Sequence, residues 1–406
     1  MSAQAARDSL KIVVLKFGGS SLATAELRGL AAQRVMDALR SGHAPIVVAS
    51  AIGRTPDPYA TDSLLALAQT AADGPNRDLL LACGETIAAA VFAEVLESKG
   101  VKALALTGAQ AGITTDESHG DAAIRSVDAR RLLDLLAAGV TPIVAGFQGA
   151  TEDGIITTLG RGGSDLTAVA LADALGNVPV DVYTDVDGVM TADPRRVTDA
   201  HTIASLTSEE LSELASHGAR VMHDKAAEVA HRSRLTLRVR GLKSGVGTAI
   251  DDDAEIDRAH PVTGIAAVDG YTFVHASPEG AGGASGWERA LFKSLAEENI
   301  SIDCVNVNAA GVFFIVADAQ FDATERALAG QPISLRARRG CAKISIVGAG
   351  MRGTPGVVYR VVDALSASGV TIIHSTDSNI TVSVLVPGAQ ASVAENALHE
   401  YFGLKG

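Results

Sequence analysis

Four short stretches, far apart in the chain, carry side chains that could do chemistry on a small charged molecule. In Thr158-Leu159-Gly160-Arg161-Gly162-Gly163-Ser164-Asp165 a glycine-rich turn bearing a guanidinium, a hydroxyl and a carboxylate opens into an apolar helical pattern. A helix start has unsatisfied N–H groups and a partial positive charge, so the turn suits a phosphate, with Arg161 placed to grip a carboxylate beside it. Lys16-Phe17-Gly18-Gly19-Ser20 follows a short apolar run. Two glycines let backbone amides approach phosphate oxygens and Lys16 adds a mobile positive charge, although Gly-Gly after a strand also makes a plain tight turn. The spacing is neither that of a Walker A loop nor that of a Gly-x-Gly-x-x-Gly dinucleotide turn.

The third stretch runs from Thr184 and Asp185 through Asp187 and Met190 to Asp193, Pro194 and Arg195. Its carboxylates could hold Mg2+ through water or position a nucleotide, with Arg195 meeting phosphate; an Asx-rich surface turn has the same composition. The fourth is Gly84-Glu85, where a carboxylate at a helix start either complements the helix dipole or accepts a substrate ammonium. His217, His223 and His231 have no acidic partners at metal-ligand spacing, and no protein metal centre is expected.

These stretches need elements to position them. Ile12–Leu15, Ile46–Ala49, Ala103–Leu106, Ile143–Ala145 and Val180–Tyr183 read as buried strands, and Leu22–Arg40, Thr61–Ala71, Arg77–Glu97, Asp128–Ala138 and Asp165–Leu175 as helices. That alternation predicts an α/β domain with a mostly parallel sheet covered on both faces. Ligands of such sheets bind beyond the carboxyl ends of the strands, which is where the Gly18-Gly19 and Thr184-Asp185 clusters fall. The polar segment from Asp251 to Arg258 marks a boundary. Beyond it, Gly264–His275, Trp287–Glu298, Ser301–Asn306 and Val312–Ala317 are echoed by Lys343–Val347, Val357–Ser368, Thr371–Ser375 and Thr381–Val386, with Ser392–Tyr401 as a last helix. Two ferredoxin-like α+β modules are predicted, serving regulation or assembly. The expected domains are 1–249, 250–335 and 336–406.

Composition narrows the classes. With 406 residues, 47% apolar and 20% charged, the chain can bury a large core. Its net charge of −13 argues against a nucleic-acid binder or a partner of anionic membranes, so any anion site must be locally basic. Three cysteines without Cys-x-x-Cys spacing predict neither a disulfide framework nor a zinc site. No secretory pattern stands at Met1–Leu10, and no uninterrupted apolar run is long enough to be expected to cross a membrane. A cytoplasmic protein is expected.

Taken together the motifs resemble the aspartate kinase family of the amino-acid kinase superfamily. The resemblance rests on Lys16-Phe17-Gly18-Gly19-Ser20-Ser21, Ser50-Ala51 with Thr61-Asp62, Gly84-Glu85, Gly146-Phe147-Gln148-Gly149, Gly160 to Asp165 and Tyr183 to Arg195, in that order. It extends to two C-terminal modules similar to paired ACT domains, through Val347 to Met351 and Gly353 to Gly356. The 53–62 insertion and the Ile372–Ser378 segment look closest to the diaminopimelate-responsive type of bacilli. The resemblance implies a three-layer kinase domain and transfer of the γ-phosphoryl of ATP, with Mg2+, to the side-chain carboxylate of L-aspartate. It implies Lys16, Arg161 and Asp165 as catalytic residues. Ser50, Thr61, Asp62, Glu85, Phe147, Gln148 and Gly162 to Ser164 (Gly162, Gly163, Ser164) join Arg161 around the substrate. Phe17, Gly18, Gly19, Ser20, Thr184, Asp185, Met190, Asp193, Pro194, Arg195 and Arg220 join Lys16 around the nucleotide. It further implies a homodimer through the ACT-like modules and an amino-acid effector near Asp303, Val305, Asn308, His374 and Asp377.

Several positions depart from the family pattern. Arg220 stands where a nucleotide-contacting lysine is usual, Asp224 replaces a proline, Gly241 falls in a usual Arg-Ser pair, and Val307-Asn308 stands where lysine- or threonine-inhibited relatives carry Gln-Asn. Catalytic motifs survive while regulatory positions drift, which implies an active kinase with altered feedback control. The alternatives are a related kinase acting on another carboxylate, and an inactive amino-acid sensor.

Overall fold

The computed structural model describes residues 10–69, 72–219, 222–250, 252, 256, 258–279 and 286–404. The chain divides into two units, the first made of 1–190, 202–216 and 220–255, the second of 191–201, 217–219 and 256–406.

In the first unit, short β-branched runs form β1 (Ile12–Phe17), β2 (Ala44–Ala49), β3 (Ala103–Leu106), β4 (Ile113–Thr115), β5 (Ile124–Val127), β6 (Thr141–Ala145), β7 (Gln148–Ala150), β8 (Ile156–Thr158), β9 (Val180–Thr184), β10 (Ser205–Leu206), β11 (Leu237–Gly241) and β12 (Gly247–Ile250). The main sheet has the order β10-β12-β11-β9-β1-β2-β6-β3, and β9, β1, β2, β6 and β3 run parallel. Along β1 the pleat alternates faces. Val13, Leu15 and Phe17 enter a core with Ala31, Val35, Phe92 and Leu96 from helices Ala25–Arg40 and Pro75–Glu97. Lys16 therefore faces the other way, towards helix Gly163–Ala174, which packs on β1. Helix Ala25–Arg40 starts where Thr24 Oγ1 accepts the Leu27 N–H at 3.2 Å, an N-cap.

The prediction of alternating strands and helices holds for the main sheet. A second sheet, β5-β4-β7-β8, was not expected. Its strands are short and rich in polar threonine, so they give little hydrophobic periodicity. Asp78 ties this sheet to helix Pro75–Glu97: its buried carboxylate accepts from Gly120 N at 3.1 Å, Thr158 N at 3.1 Å, Thr158 Oγ1 at 2.7 Å and His119 Nδ1 at 2.7 Å. Asp78→Ala would strand these donors, and a fall of about 3 kcal/mol in unfolding free energy is expected in denaturant titrations.

Helix Pro75–Glu97 is long and apolar enough to cross a membrane by length and composition. Here it is a core helix, with Ala82, Gly84, Ala88, Phe92 and Leu96 buried along it and two carboxylates, Asp78 and Glu85, buried as well. The core helix of a globular domain passes the same test of length and composition.

The second unit is one six-stranded antiparallel sheet, β14-β15-β13-β16-β18-β17, with β13 at Gly264–Pro278, β14 at Ile302–Asn308, β15 at Gly311–Ala317, β16 at Ile333–Val347, β17 at His374–Asp377 and β18 at Thr381–Pro387. Val274, Ala276, Phe314 and Val316 pack with Leu291, Leu295, Phe321 and Leu328 of helices Trp287–Glu297 and Asp318–Leu328. Ile344, Ile346, Val382 and Val384 pack with Val361, Leu365 and Leu398 of helices Val357–Ala367 and Ala391–Tyr401. β13 and β16 pair along their whole length, so β16 runs unbroken through residues 335 and 336. The amino half of β13 joins the second helix pair, because Ile265 lies in that core.

Candidate active site

Four adjacent parallel strands, β9, β1, β2 and β6, end on one rim. Their carboxyl ends deliver Thr184, Lys16, Ser50 and Phe147. A cavity of about 390 Å³ opens there, and Lys16, Ser50, Thr61, Asp62, Glu85, Phe147, Arg161, Gly162, Gly163, Ser164 and Asp165 all line it. Three of the motif stretches, at Lys16, Glu85 and Arg161 to Asp165, are thus brought together with Ser50, Thr61 and Phe147.

Lys16 Nζ lies 2.6 Å from Asp165 Oδ1, and both side chains are largely buried. Asp165 sits in the first turn of helix Gly163–Ala174, where the dipole favours its charge. Gly162, just before this helix, has φ +75°, and a Cβ there would lie 2.1 Å from atoms of His223. Only glycine fits that turn. Arg161 beside it is exposed and forms no ion pair among the described residues, so its fork can meet a carboxylate.

Glu85 is 3% exposed. Its Oε1 accepts the Ala51 N–H at 3.2 Å, while Oε2 has no hydrogen-bond partner. Burial pushes its carboxyl up to about 8, with backbone hydrogen bonds opposing. An unpartnered buried carboxylate oxygen beside a cavity suits an incoming ammonium. Phe147 holds φ +68°, an unusual conformation for a non-glycine residue, and its N–H donates to Thr167 Oγ1 at 3.1 Å.

A smaller cavity of about 200 Å³ adjoins the first through Lys16, Gly19, Ser50 and Gly53, and is also lined by Gly18, Ser20, Arg54 and Thr184. Gly19 is required by close approach: a Cβ would sit 2.5 Å from the Ala51 carbonyl oxygen and 2.7 Å from that of Gly53. A bare backbone with nearby lysine fits a phosphate group.

The structure places several expected site residues away from the two cavities. The Phe17 side chain is fully buried in the core, stacked on Tyr183 at 5.1 Å, because it alternates with Lys16 along the pleat. Gln148 does not reach the cavity; its Nε2 donates to Ala82 O at 2.8 Å and ties β7 to the core helix. Met190 forms a β-bridge with Thr202 and lines neither cavity. Asp193, Pro194 and Arg195 belong to segment 191–201 of the second unit, where Ala192 and Val197 are buried in its core. Asp193 and Arg195 grip each other at 2.9 and 2.6 Å, and the Arg195 hydrogen bond holds the Asp193 carboxyl below the usual range. Arg220 lies outside the residues whose side chains are described.

Of the expected effector residues, Asp303 and His374 come together at Cys304: His374 Nε2 lies 3.1 Å from the Cys304 carbonyl. Asp303 pairs with the buried Lys343. Burial pushes its carboxyl up, and the Lys343 ammonium more than offsets this, so it sits below the ordinary value. Asn308 instead donates to Asn306 at 2.8 Å, Val305 is exposed, and Asp377 lies in β17.

Sequence reasoning missed Arg54 and Arg77. Arg77 lines the larger cavity and pairs with Asp73 at 3.0 Å. Neither arginine carries a motif, so only folding reveals them.

The amino acid kinase family model matches residues 11–241, and an ACT domain model matches 344–402. Aspartokinase 1 of Bacillus subtilis is 42% identical over 404 residues, spanning 97% of this chain and 100% of that protein. The aspartokinase of Geobacillus stearothermophilus is 40% identical, spanning 97% of each. The crystal structure of Escherichia coli aspartokinase III in complex with aspartate and ADP superposes with a TM-score of 0.79 at 25% identity, covering 96% of this chain and 99% of that one. A rim cavity holding cation, guanidinium and buried carboxylate, together with full-length similarity, identifies the chain as a member of the aspartokinases in the amino acid kinase family, enzymes that phosphorylate aspartate with ATP.

Proposed function

We propose that the larger cavity holds L-aspartate and the smaller one the phosphates of ATP, with Lys16 at their junction. The convergence of Lys16, Glu85, Arg161 and Asp165 on one rim carries this reading. Arg161 grips one substrate carboxylate and Glu85 takes the α-ammonium. The side-chain carboxylate is then turned towards Lys16, where the transferring phosphoryl lies. Such a carboxylate is already ionised at neutral pH, so no strong general base is needed. Catalysis then comes from positioning and charge neutralisation. The Gly18 and Gly19 amides, Ser20 and the helix start at Gly162 to Ser164 supply fixed donors. Asp165 holds Lys16 in place.

Asp185 suits Mg2+ delivered on the phosphates: its half-exposed carboxylate follows the end of β9 beside the smaller cavity, and Mg2+ needs only one or two protein carboxylates. Bound there, the ion would neutralise phosphate charge.

In the second unit, Phe273, His275, Phe313 and His374 stack on the sheet face opposite the helices, with His275 and Phe313 centroids 4.4 Å apart. That half-exposed ring ladder supports a homodimer through this unit, and the Asp303–His374 neighbourhood supports an amino-acid effector site there. A cytoplasmic setting agrees with this chemistry.

The test is an ATP-dependent hydroxamate assay over L-aspartate, L-glutamate and N-acetyl-aspartate. An acyl phosphate is trapped by hydroxylamine. L-Aspartate is expected to give the dominant signal, and N-acetylation should abolish it. Preference for another acid, or no signal, would refute the reading.

A further inference from the structure

Arg54 stands in the wall of the smaller cavity, on the 53–62 loop, at a position to which the resemblance to known kinases gave no role. The loop is built with care at its base. Gly53 N–H donates to the Gly19 carbonyl at 3.0 Å, joining the loop to the glycine turn. Asp57 then clasps Arg54 from both sides: its Oδ2 accepts the Arg54 N–H at 3.1 Å, and its N–H donates to the Arg54 carbonyl at 2.8 Å. A Cβ on Gly53, which has φ +80°, would lie 2.0 Å from Asp57 Oδ2, so the clasp depends on glycine there. The backbone of Arg54 is fixed while its side chain extends into solvent.

Among the described residues the guanidinium has one ionic partner, Asp185 Oδ2 at 3.3 Å, across side chains 74% and 50% exposed. An exposed pair of this kind is weak and readily exchanged. The cavity meanwhile lacks net positive charge for a polyphosphate, because the Lys16 charge is offset by Asp165. Among the described residues Arg54 is the other cation lining it. A planar guanidinium matches phosphate oxygens bidentately.

We propose that Arg54 leaves Asp185 when ATP binds and clamps the terminal phosphate, so that it distinguishes ATP from ADP. The inference rests on the nucleotide reading above, and goes beyond it by assigning a residue to the phosphate that is transferred. No bond is made or broken in this step; one ion pair is exchanged for another.

Arg54→Ala, Arg54→Lys and Lys16→Ala, each in the full chain, separate the possibilities. Calorimetry with ADP and with a non-hydrolysable ATP analogue is the readout, alongside KM for ATP and for aspartate and a melting temperature. Loss of a charge-assisted contact predicts that Arg54→Ala weakens the ATP analogue by about tenfold to a hundredfold. ADP should weaken by less than about threefold, since it lacks the phosphate this contact reads. KM for ATP should rise with that for aspartate unchanged, and Arg54→Lys should recover part of the loss. Equal weakening of both nucleotides, or none, overturns the inference. If Lys16→Ala cripples turnover while Arg54→Ala is silent, the nucleotide reading stands and only Arg54 loses its role. If Lys16→Ala is also silent, the nucleotide reading itself falls.

Discussion

Glu85→Gln is expected to raise KM for aspartate by about a hundredfold at pH 8, since an ammonium would lose its charged acceptor in a buried site. The same substitution should stabilise the ligand-free protein at that pH. Burial lifts the Glu85 carboxyl from its ordinary 4.5 to about 8, so the folded state holds a proton that the unfolded state releases. The stabilising effect of that proton is complete below about pH 4.5 and is lost as pH rises through about 8. The loss amounts to a few kcal/mol, at about 1.4 kcal/mol for every pH unit between the unfolded and folded titration points. Glutamine has no proton to lose, so its melting temperature should stay flatter between pH 5 and 8 and exceed that of the parent at pH 8. Thermal melts across that range check the sign.

Substrate affinity carries the same linkage. The ammonium needs an ionised Glu85, so aspartate binding at pH 7 should take up no proton but release about 0.9 per site, and affinity should rise about tenfold per pH unit up to about pH 8. The gap between parent and Glu85→Gln should narrow at pH 6, where the parent too is largely neutral at this position. Calorimetry in buffers of different ionisation enthalpy measures the proton directly. No release, with pH-independent affinity, would show that Glu85 does not meet the ammonium.

Lys16→Ala should lower kcat by about a thousandfold, the scale on which one preorganised charge at a transition state is felt. Two effects add. The phosphoryl loses its cation, and Asp165 is left as an uncompensated carboxylate in a largely buried place 2.6 Å from where the ammonium stood. The pair acts as a unit, so Asp165→Ala should cost far less on a Lys16→Ala background than on the parent, as steady-state kinetics of the double-mutant cycle would reveal. Lys16→Arg keeps the charge but not its point-like shape, and recovery should be partial. Additive costs would deny the coupling.

Much of this site was legible before folding. β-branched runs spaced by helical patterns marked the parallel sheet, and its rim followed from where the polar clusters fall relative to strand ends. Motif adjacency could not say which way a side chain points. Lys16 and Phe17 are neighbours in one motif, yet the pleat sends one to the cavity and the other to the core. Phe147 and Gln148 divide likewise, one lining the cavity and the other bonded to the core helix. Arg54 and Asp78 were hidden for another reason. Their roles come from partners far along the chain, Asp185 and Thr158, which no local pattern announces. The Met190–Arg195 loop was expected at the nucleotide on the strength of its polar residues. Ala192 within it and Val197 just beyond it are buried in the core of the second unit, which no local pattern announces.

The most direct test of the four-group convergence is a crystal structure of the chain with L-aspartate and ADP. The α-ammonium is expected within hydrogen-bond distance of Glu85, a carboxylate on the Arg161 fork, and the terminal phosphate of ADP beside Lys16 and the Gly18-Gly19 turn. Aspartate bound elsewhere, or a nucleotide whose phosphates avoid Lys16, would contradict it.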